Sequence, residues 1–131
     1  MEIRRTERGW PGHFCCVGRC RFRRNTLLEM GEERIVVSTV GNMTPFREDA
    51  VQPMQEIGLE RCWETMVFKA CYDDPYWEAD VGNEVEFESP WALDATANDL
   101  DANAMHERVV AEMTERMQEA DRQQDREAIR P

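Results

Sequence analysis

Residues 12–24, GHFCCVGRCRFRR, hold one histidine, three cysteines and four arginines in thirteen positions. Three chemistries come with such a stretch: a metal site, a phosphate-binding face, or a nucleophile with a base beside it. His13, Cys15, Cys16 and Cys20 are competent zinc ligands, and a structural zinc site takes four, usually as two paired knuckles. No Cys-x₂-Cys occurs in the chain, and Cys62, Cys71 and His106 are not paired at ligand spacing. Cys15 and Cys16 are adjacent, so on a strand they face opposite ways. The cysteines read as small apolar core residues, and no metal or cofactor is expected. With an odd count of five cysteines and no secretory signal, free thiols are the default.

Arg19, Arg21 and Arg23 recur at every second position, so on a strand they share one face roughly 6.7 Å apart. That spacing suits successive phosphates, with Phe22 on the opposite face. Binding through counterion release needs a positive surface, whereas this chain carries a net charge of −11, so direct nucleic-acid binding is not expected. A structural role fits better. Glu84, Glu86 and Glu88 repeat at the same spacing, and on neighbouring strands the two triplets would form a ladder of opposite charges. Each exposed pair would contribute about 0.2–1 kcal/mol and would set register.

Catalytic motifs are absent: there is no Gly-rich phosphate loop, no Gly-x-Ser-x-Gly elbow and no His-Glu-x₂-His. His106 reads as a surface or boundary residue of a helix. Cys15 or Cys16 with His13 would make a nucleophile and base, but they lie too close in sequence to be assigned without geometry. No catalytic residue is assigned.

The charge is sorted along the chain. Residues 1–28 hold seven arginines against two glutamates, whereas residues 72–107 hold eleven carboxylates and no lysine or arginine. Residues 108–131 are nearly balanced, with five basic and six acidic side chains. The acidic stretch also carries Tyr76, Trp77 and Trp91, residue types that anchor interfaces. At least one of Tyr76 and Trp77 is expected to face solvent. Asp73, Asp74, Tyr76, Trp77, Glu78, Asp80, Glu84, Glu86, Glu88, Asp94, Asp99 and Asp101 are therefore the candidate partner-binding residues, on the expectation that the carboxylates fold into one negative surface. Such a surface attracts basic partners and accelerates encounter with them.

The elements that must position these groups follow from periodicity. Residues 2–8 and 19–24 read as strands, and TLLE (26–29) and RIVVSTV (34–40) flank a hairpin turn. Residues 41–61 read as a long loop or flap. WETMVFKACY (63–72) alternates, Asp73-Asp74-Pro75 turns, YWEADV (76–81) is a strand, Gly82-Asn83 a tight turn and EVEFE (84–88) a further strand. Ser89-Pro90 starts a helical turn carrying Trp91 and Leu93. Asn98 caps a long helix with Asp99 and Asp101 in its first turn. Met105, Val109, Met113 and Met117, widened by Leu100 and Val110, form its buried stripe. The fold class is α+β: an antiparallel sheet of four to six strands with a long C-terminal amphipathic helix packed across it, in one domain over residues 1–120. Residues 121–131 form a polar tail that frays.

The blocks RGWPGHF, CRFRRNTLLE, RIVVSTVG, ETMVF and PYWEADV, followed by a Met-His-Glu helix, resemble a family of small uncharacterised proteins encoded by bacteriophages and prophages. The resemblance covers roughly half of the chain and brings no catalytic residues. It implies a phage context, in which small acidic proteins inhibit host nucleic-acid machinery as anti-CRISPR or other anti-defence proteins. The expected function is thus a non-enzymatic inhibitor that binds a basic, nucleic-acid-handling host protein through an acidic surface, as a nucleic-acid mimic or steric block. The alternatives are a phage structural or assembly protein that self-associates through its helix, a homodimer being the simplest form, and a small metal-binding or enzymatic domain. MEIRRTERG has no apolar run behind its charges, and no window approaches the roughly 18 apolar residues that span a bilayer. The expected location is the host cytoplasm, with no membrane partner.

Overall fold

The computed structural model describes residues 1–9, 12–14 and 16–129. Its elements are β1 (Arg4–Arg8), β2 (Cys20–Met30), β3 (Glu33–Met43), β4 (Trp63–Asp73), β5 (Tyr76–Val85), β6 (Ala92–Leu93) and the helix α1 (Asp99–Ala128), with one 3₁₀ turn at Val17–Arg19. The strands form one antiparallel sheet in the order β1-β2-β3-β4-β5, and β6 pairs with the start of β4. The fold is α+β, an antiparallel sheet crossed by one long C-terminal helix, as the pattern predicts.

Local chemistry accounts for the connections. Gly31 takes a positive φ in the two-residue turn between β2 and β3, where glycine carries no Cβ penalty. Asp74 and Pro75 turn β4 into β5. Four expectations are corrected. Residues 19–24 and 26–29 are not separate strands, because Cys20–Met30 runs unbroken beside β3. Gly82-Asn83 is not a tight turn: β5 stays on β4 on both sides of it, and the extra residues bulge out where the register shifts between Phe68 and Ala70. Glu86–Glu88 therefore lie beyond the strand. Residues 91–93 are not helical, since Ala92 and Leu93 pair with Glu64 and Trp63. The Arg–Glu ladder does not form, because β3 and β4 lie between β2 and β5. Arg19 and Arg21 instead donate to backbone carbonyls of Pro45, and of Asn42 and Pro53, which ties residues 44–61 down at their base.

Both faces of the sheet are covered, so Ile35–Val40 is buried throughout instead of alternating. On one face, Leu28, Met30, Ile35, Val37 and Val67 pack against Val109, Val110, Met113 and Met117 of α1. Asn98 starts that helix with a reciprocal capping box to Asp101. Leu100 is not part of the stripe; it is 80% exposed, whereas Ala102, two residues on, is fully buried. The last residues of α1 continue as helix to Ala128 with exposed side chains. On the other face, Phe14, Cys16 and Val17 pack against Cys20, Val40, Met43 and Ile57. Cys15 lies outside the described residues. No helix among the described residues is long and apolar enough to cross a membrane.

His106 is fully buried between helix and sheet, contrary to the surface position expected from sequence. Its Nε2 meets Thr26 Oγ1 and its Nδ1 meets Thr39 Oγ1, both at 2.7 Å. Thr26 donates its one hydroxyl proton to Glu7 Oε1 at 2.8 Å, so it must accept from His106 Nε2–H. Nδ1 then accepts from Thr39, whose oxygen accepts from Thr65 at 2.6 Å. This direction at Nδ1 is that of the neutral imidazole. Burial, with the Arg24 and Arg5 charges against the opposing Glu7 and Glu107, lowers the His106 pKa from 6.5 to about 4. Glu107 itself bridges Arg5 and Arg24 and is held at about 2 chiefly by the Arg5 hydrogen bond.

Two outcomes are expected. Met113→Ala lowers stability by about 2–5 kcal/mol, as buried large-to-small changes do, whereas Leu100→Ala changes it by less than about 0.5 kcal/mol; urea titration distinguishes them. Because the unfolded histidine takes up its proton near 6.5 and the folded one near 4, stability falls as pH drops through that interval. The loss reaches roughly 2–3 kcal/mol by pH 4.5, where protonation of Glu107 in the unfolded chain begins to add its own smaller share. His106→Gln should flatten this slope in urea midpoints compared at neutral pH and about pH 4.5.

Candidate functional site

If the sheet were flat, β1 and β5 would lie four strand spacings apart, roughly 19 Å. Arg8 at the end of β1 nevertheless donates to the Trp77 carbonyl in β5, so the sheet is curled enough to bring its two edges within the reach of an arginine side chain. Beside this seam, between β5 and the face formed by β2 and β3, lies a cavity of about 440 Å³. Gly12, His13, Asn25 and Ser38 line it from within, and Tyr76 and Glu78 of β5 line it at the edge.

Ser38 sits mid-strand in β3, and its polar side chain faces away from the helix, as Val36 and Val40 do. Residues 12–14 cross this face, and Gly12 makes the crossing close: a Cβ there would lie 2.3 Å from Val40 Cγ1 and 2.8 Å from Ser38 Oγ. His13 is thereby laid on the sheet with its side chain almost fully buried. Its Nδ1 is 3.0 Å from Ser38 Oγ and its Nε2 is 2.9 Å from Glu64 Oε1. The Phe68 ring lies 5.9 Å from the imidazole. Glu64 is held in turn by Arg61 at 3.4 Å. Burial by itself would raise the Glu64 pKa, but the His13 hydrogen bond and the Arg61 charge bring it below the ordinary carboxylate value.

Asn25 is the register partner of Ser38 across β2 and β3, which puts their Cβ atoms about 5 Å apart on one face. Its Oδ1 accepts from Arg8 Nε at 2.9 Å, which fixes the amide with its NH₂ group turned elsewhere. Serine, imidazole, carboxylate and amide are thus brought together from β3, the 12–14 segment, β4 and β2.

This site differs from the pairing considered from sequence. His13 works with Ser38, 25 residues away, and not with Cys16 beside it. With both ring nitrogens engaged, His13 is not presented as a metal ligand. Among the described residues no group of three or more His, Cys, Asp or Glu is placed to hold a metal ion. The available signal was the polar pair Ser38-Thr39 inside the apolar run RIVVSTV, together with Glu64 inside WETMVF.

The candidate partner-binding residues divide into groups. Asp73 and Asp74 form the exposed tip of the β4–β5 hairpin, followed along β5 by Tyr76, Glu78, Asp80 and Glu84. Tyr76 is exposed, while Trp77 is half-buried beneath Arg34 and beside Tyr72. Asp80 accepts from the Gly82 amide. Glu84 and Glu86 border a second hollow with Arg61 and Trp91. Glu88 is exposed, and its backbone N–H donates to Glu112. Asp94 holds the Thr96 turn, Asp101 belongs to the helix cap, and Asp99 accepts from Trp63 Nε1 and Asn42. Trp63 and Asp73 are the two ends of β4, so the Asp99 group lies about 30 Å along the strand from the hairpin tip. The carboxylates do not form one surface. Those of the hairpin arm are adjacent, while Glu107 is neutralised by Arg5 and Arg24.

No family model matches the chain, and neither a curated protein nor a solved structure matches it.

Replacing Gly12 by alanine should loosen the crossing segment from the sheet, lowering stability by about 1–3 kcal/mol as overpacking does. The Ser38–His13 contact should open with it; a urea titration and the His13 ring NMR shifts would record both.

Proposed function

We propose that this chain is a phage-encoded anti-defence protein that binds a basic, nucleic-acid-handling host protein through the acidic arm formed by Asp73, Asp74, Tyr76, Glu78, Asp80 and Glu84. The observation that carries the reading is where the charge remains uncompensated. Among the described residues none of these carboxylates takes part in a salt bridge. Several arginines, by contrast, are engaged within the fold. Arg5 and Arg24 pair with Glu7 and Glu107, Arg34 with Glu29, and Arg19 and Arg21 with backbone carbonyls. Arg8 lies near Glu78 and Arg61 near Glu84 without pairing with them, so the arm keeps a net negative field, and such a field steers a positive partner. Tyr76 adds an exposed aromatic of the kind that anchors interfaces. Carboxylates along a sheet edge also discourage pairing with an apolar strand, which favours a basic surface over indiscriminate edge association. The assembly alternative finds less support, because the stripe it needs, Met105, Val109, Met113 and Met117, is buried on the sheet.

The test is affinity capture from a bacterial host lysate with the wild-type chain and with Asp73→Lys, Asp74→Lys, Glu78→Lys and Glu84→Lys combined. The expected result is retention of basic nucleic-acid-binding proteins by the wild type, reduced about tenfold or more by the reversal and by added salt. Retained proteins that lack basic surfaces, or retention indifferent to the charge reversal, would refute the reading.

A further inference from the structure

The seam cavity carries more than a recognition surface would need. We infer that Ser38, His13, Glu64 and Asn25 constitute a serine-nucleophile site that cleaves small neutral or cationic acyl esters bound in the seam cavity. The Ser38–His13–Glu64 geometry is independent of the acidic arm, although Tyr76 and Glu78 of the arm also line the cavity.

Serine becomes a nucleophile when a base lies within hydrogen-bond reach and a third group orients that base. Ser38 Oγ is 3.0 Å from His13 Nδ1, and Glu64 Oε1 is 2.9 Å from Nε2. In the neutral imidazole, Nε2–H points to the carboxylate and Nδ1 is left to accept the hydroxyl proton. Arg61 on the second Glu64 oxygen and Phe68 beside the ring hold both members in place. Asn25, opposite Ser38, lining the cavity and pinned through its Oδ1 by Arg8, has its NH₂ group left as the candidate donor to the oxygen of an attacked carbonyl. Ser38 and His13 are shielded from bulk water yet line the cavity.

The reaction balances with water as the only co-reactant. Ser38 Oγ bonds to the acyl carbon while its proton passes to His13 Nδ1, and the carbonyl electrons move onto the oxygen facing Asn25. Collapse breaks the ester C–O bond, and the departing alkoxide takes the proton from His13. Water then attacks the acyl-serine with His13 again as base, releasing the carboxylic acid and restoring the Ser38 hydroxyl. A cavity of about 440 Å³ admits a short acyl chain. Glu78 at its edge disfavours anionic substrates.

The test uses a fluorophosphonate probe on the full chain, with peptide mass spectrometry to locate the adduct. The expected result is labelling of Ser38 in the folded protein and none in the urea-unfolded chain. His13→Gln should slow labelling about 100-fold or more, the size of a general-base contribution. Circular dichroism would check that this variant remains folded. Short-chain p-nitrophenyl esters should be turned over by the wild type and not by Ser38→Ala. No adduct on Ser38, equal labelling of the unfolded chain, or undiminished labelling of folded His13→Gln would each overturn the inference. Should His13→Gln fail to fold, the wild-type labelling and its urea control decide the matter.

Discussion

One imidazole sealed between helix and sheet has to be satisfied at both nitrogens, and that requirement couples five elements. His106 of α1 reaches Thr26 of β2 and Thr39 of β3; Thr39 reaches Thr65 of β4, and Thr26 reaches Glu7 of β1. A buried polar group left without its partner costs about 1–3 kcal/mol, so a helix rotated or slid by one residue would forfeit several such contacts together. Apolar packing of Met105, Val109, Met113 and Met117 supplies the attraction between the layers, but methionine is compliant and specifies position poorly. The threonine–histidine line supplies the specification, because hydrogen bonds are directional and this line runs in a single sense set by the Glu7 carboxylate at one end and the neutral imidazole in the middle.

Charge is arranged on the same principle. Much of the positive charge of the N-terminal third is spent in holding the molecule together, although Arg4 and Arg23 are exposed. Arg5 and Arg24 share Glu7 and Glu107 at the edge of the polar line, Arg19 and Arg21 fasten residues 44–61, and Arg8 spans the seam between the sheet's edges. Negative charge is left over on the hairpin arm. An overall charge of −11 thus conceals two regimes, one compensated and structural, the other open to solvent.

The seam cavity follows from curling. A flat sheet would expose Ser38 and Asn25 on a broad face; the curled one encloses them and draws β5 over them. The 12–14 segment completes the enclosure, and only glycine at position 12 lets it approach. The binding arm and the cavity share β5, so a partner seated on the arm would sit over the cavity mouth.

What the sequence by itself determined is whatever depends on near neighbours along the chain. The periodic methionines gave the helix and its buried face, Asn98 and Asp101 its start, Gly31 the first hairpin and the apolar run 35–40 a central strand. Local patterns failed where a residue's role depends on a partner far along the chain. Leu100 matched the stripe by spacing yet projects into water, and Gly82-Asn83 carries turn chemistry yet bulges because β4 holds both flanks. His13, Ser38 and Glu64 are ordinary residues in sequence, 25 and 26 positions apart in turn; no spacing rule joins them. Tertiary structure alone decided that site, and the burial of His106 as well. Strand order and sheet curl set which side chains meet, and these are settled by the sum of packing and hydrogen bonding across the whole molecule.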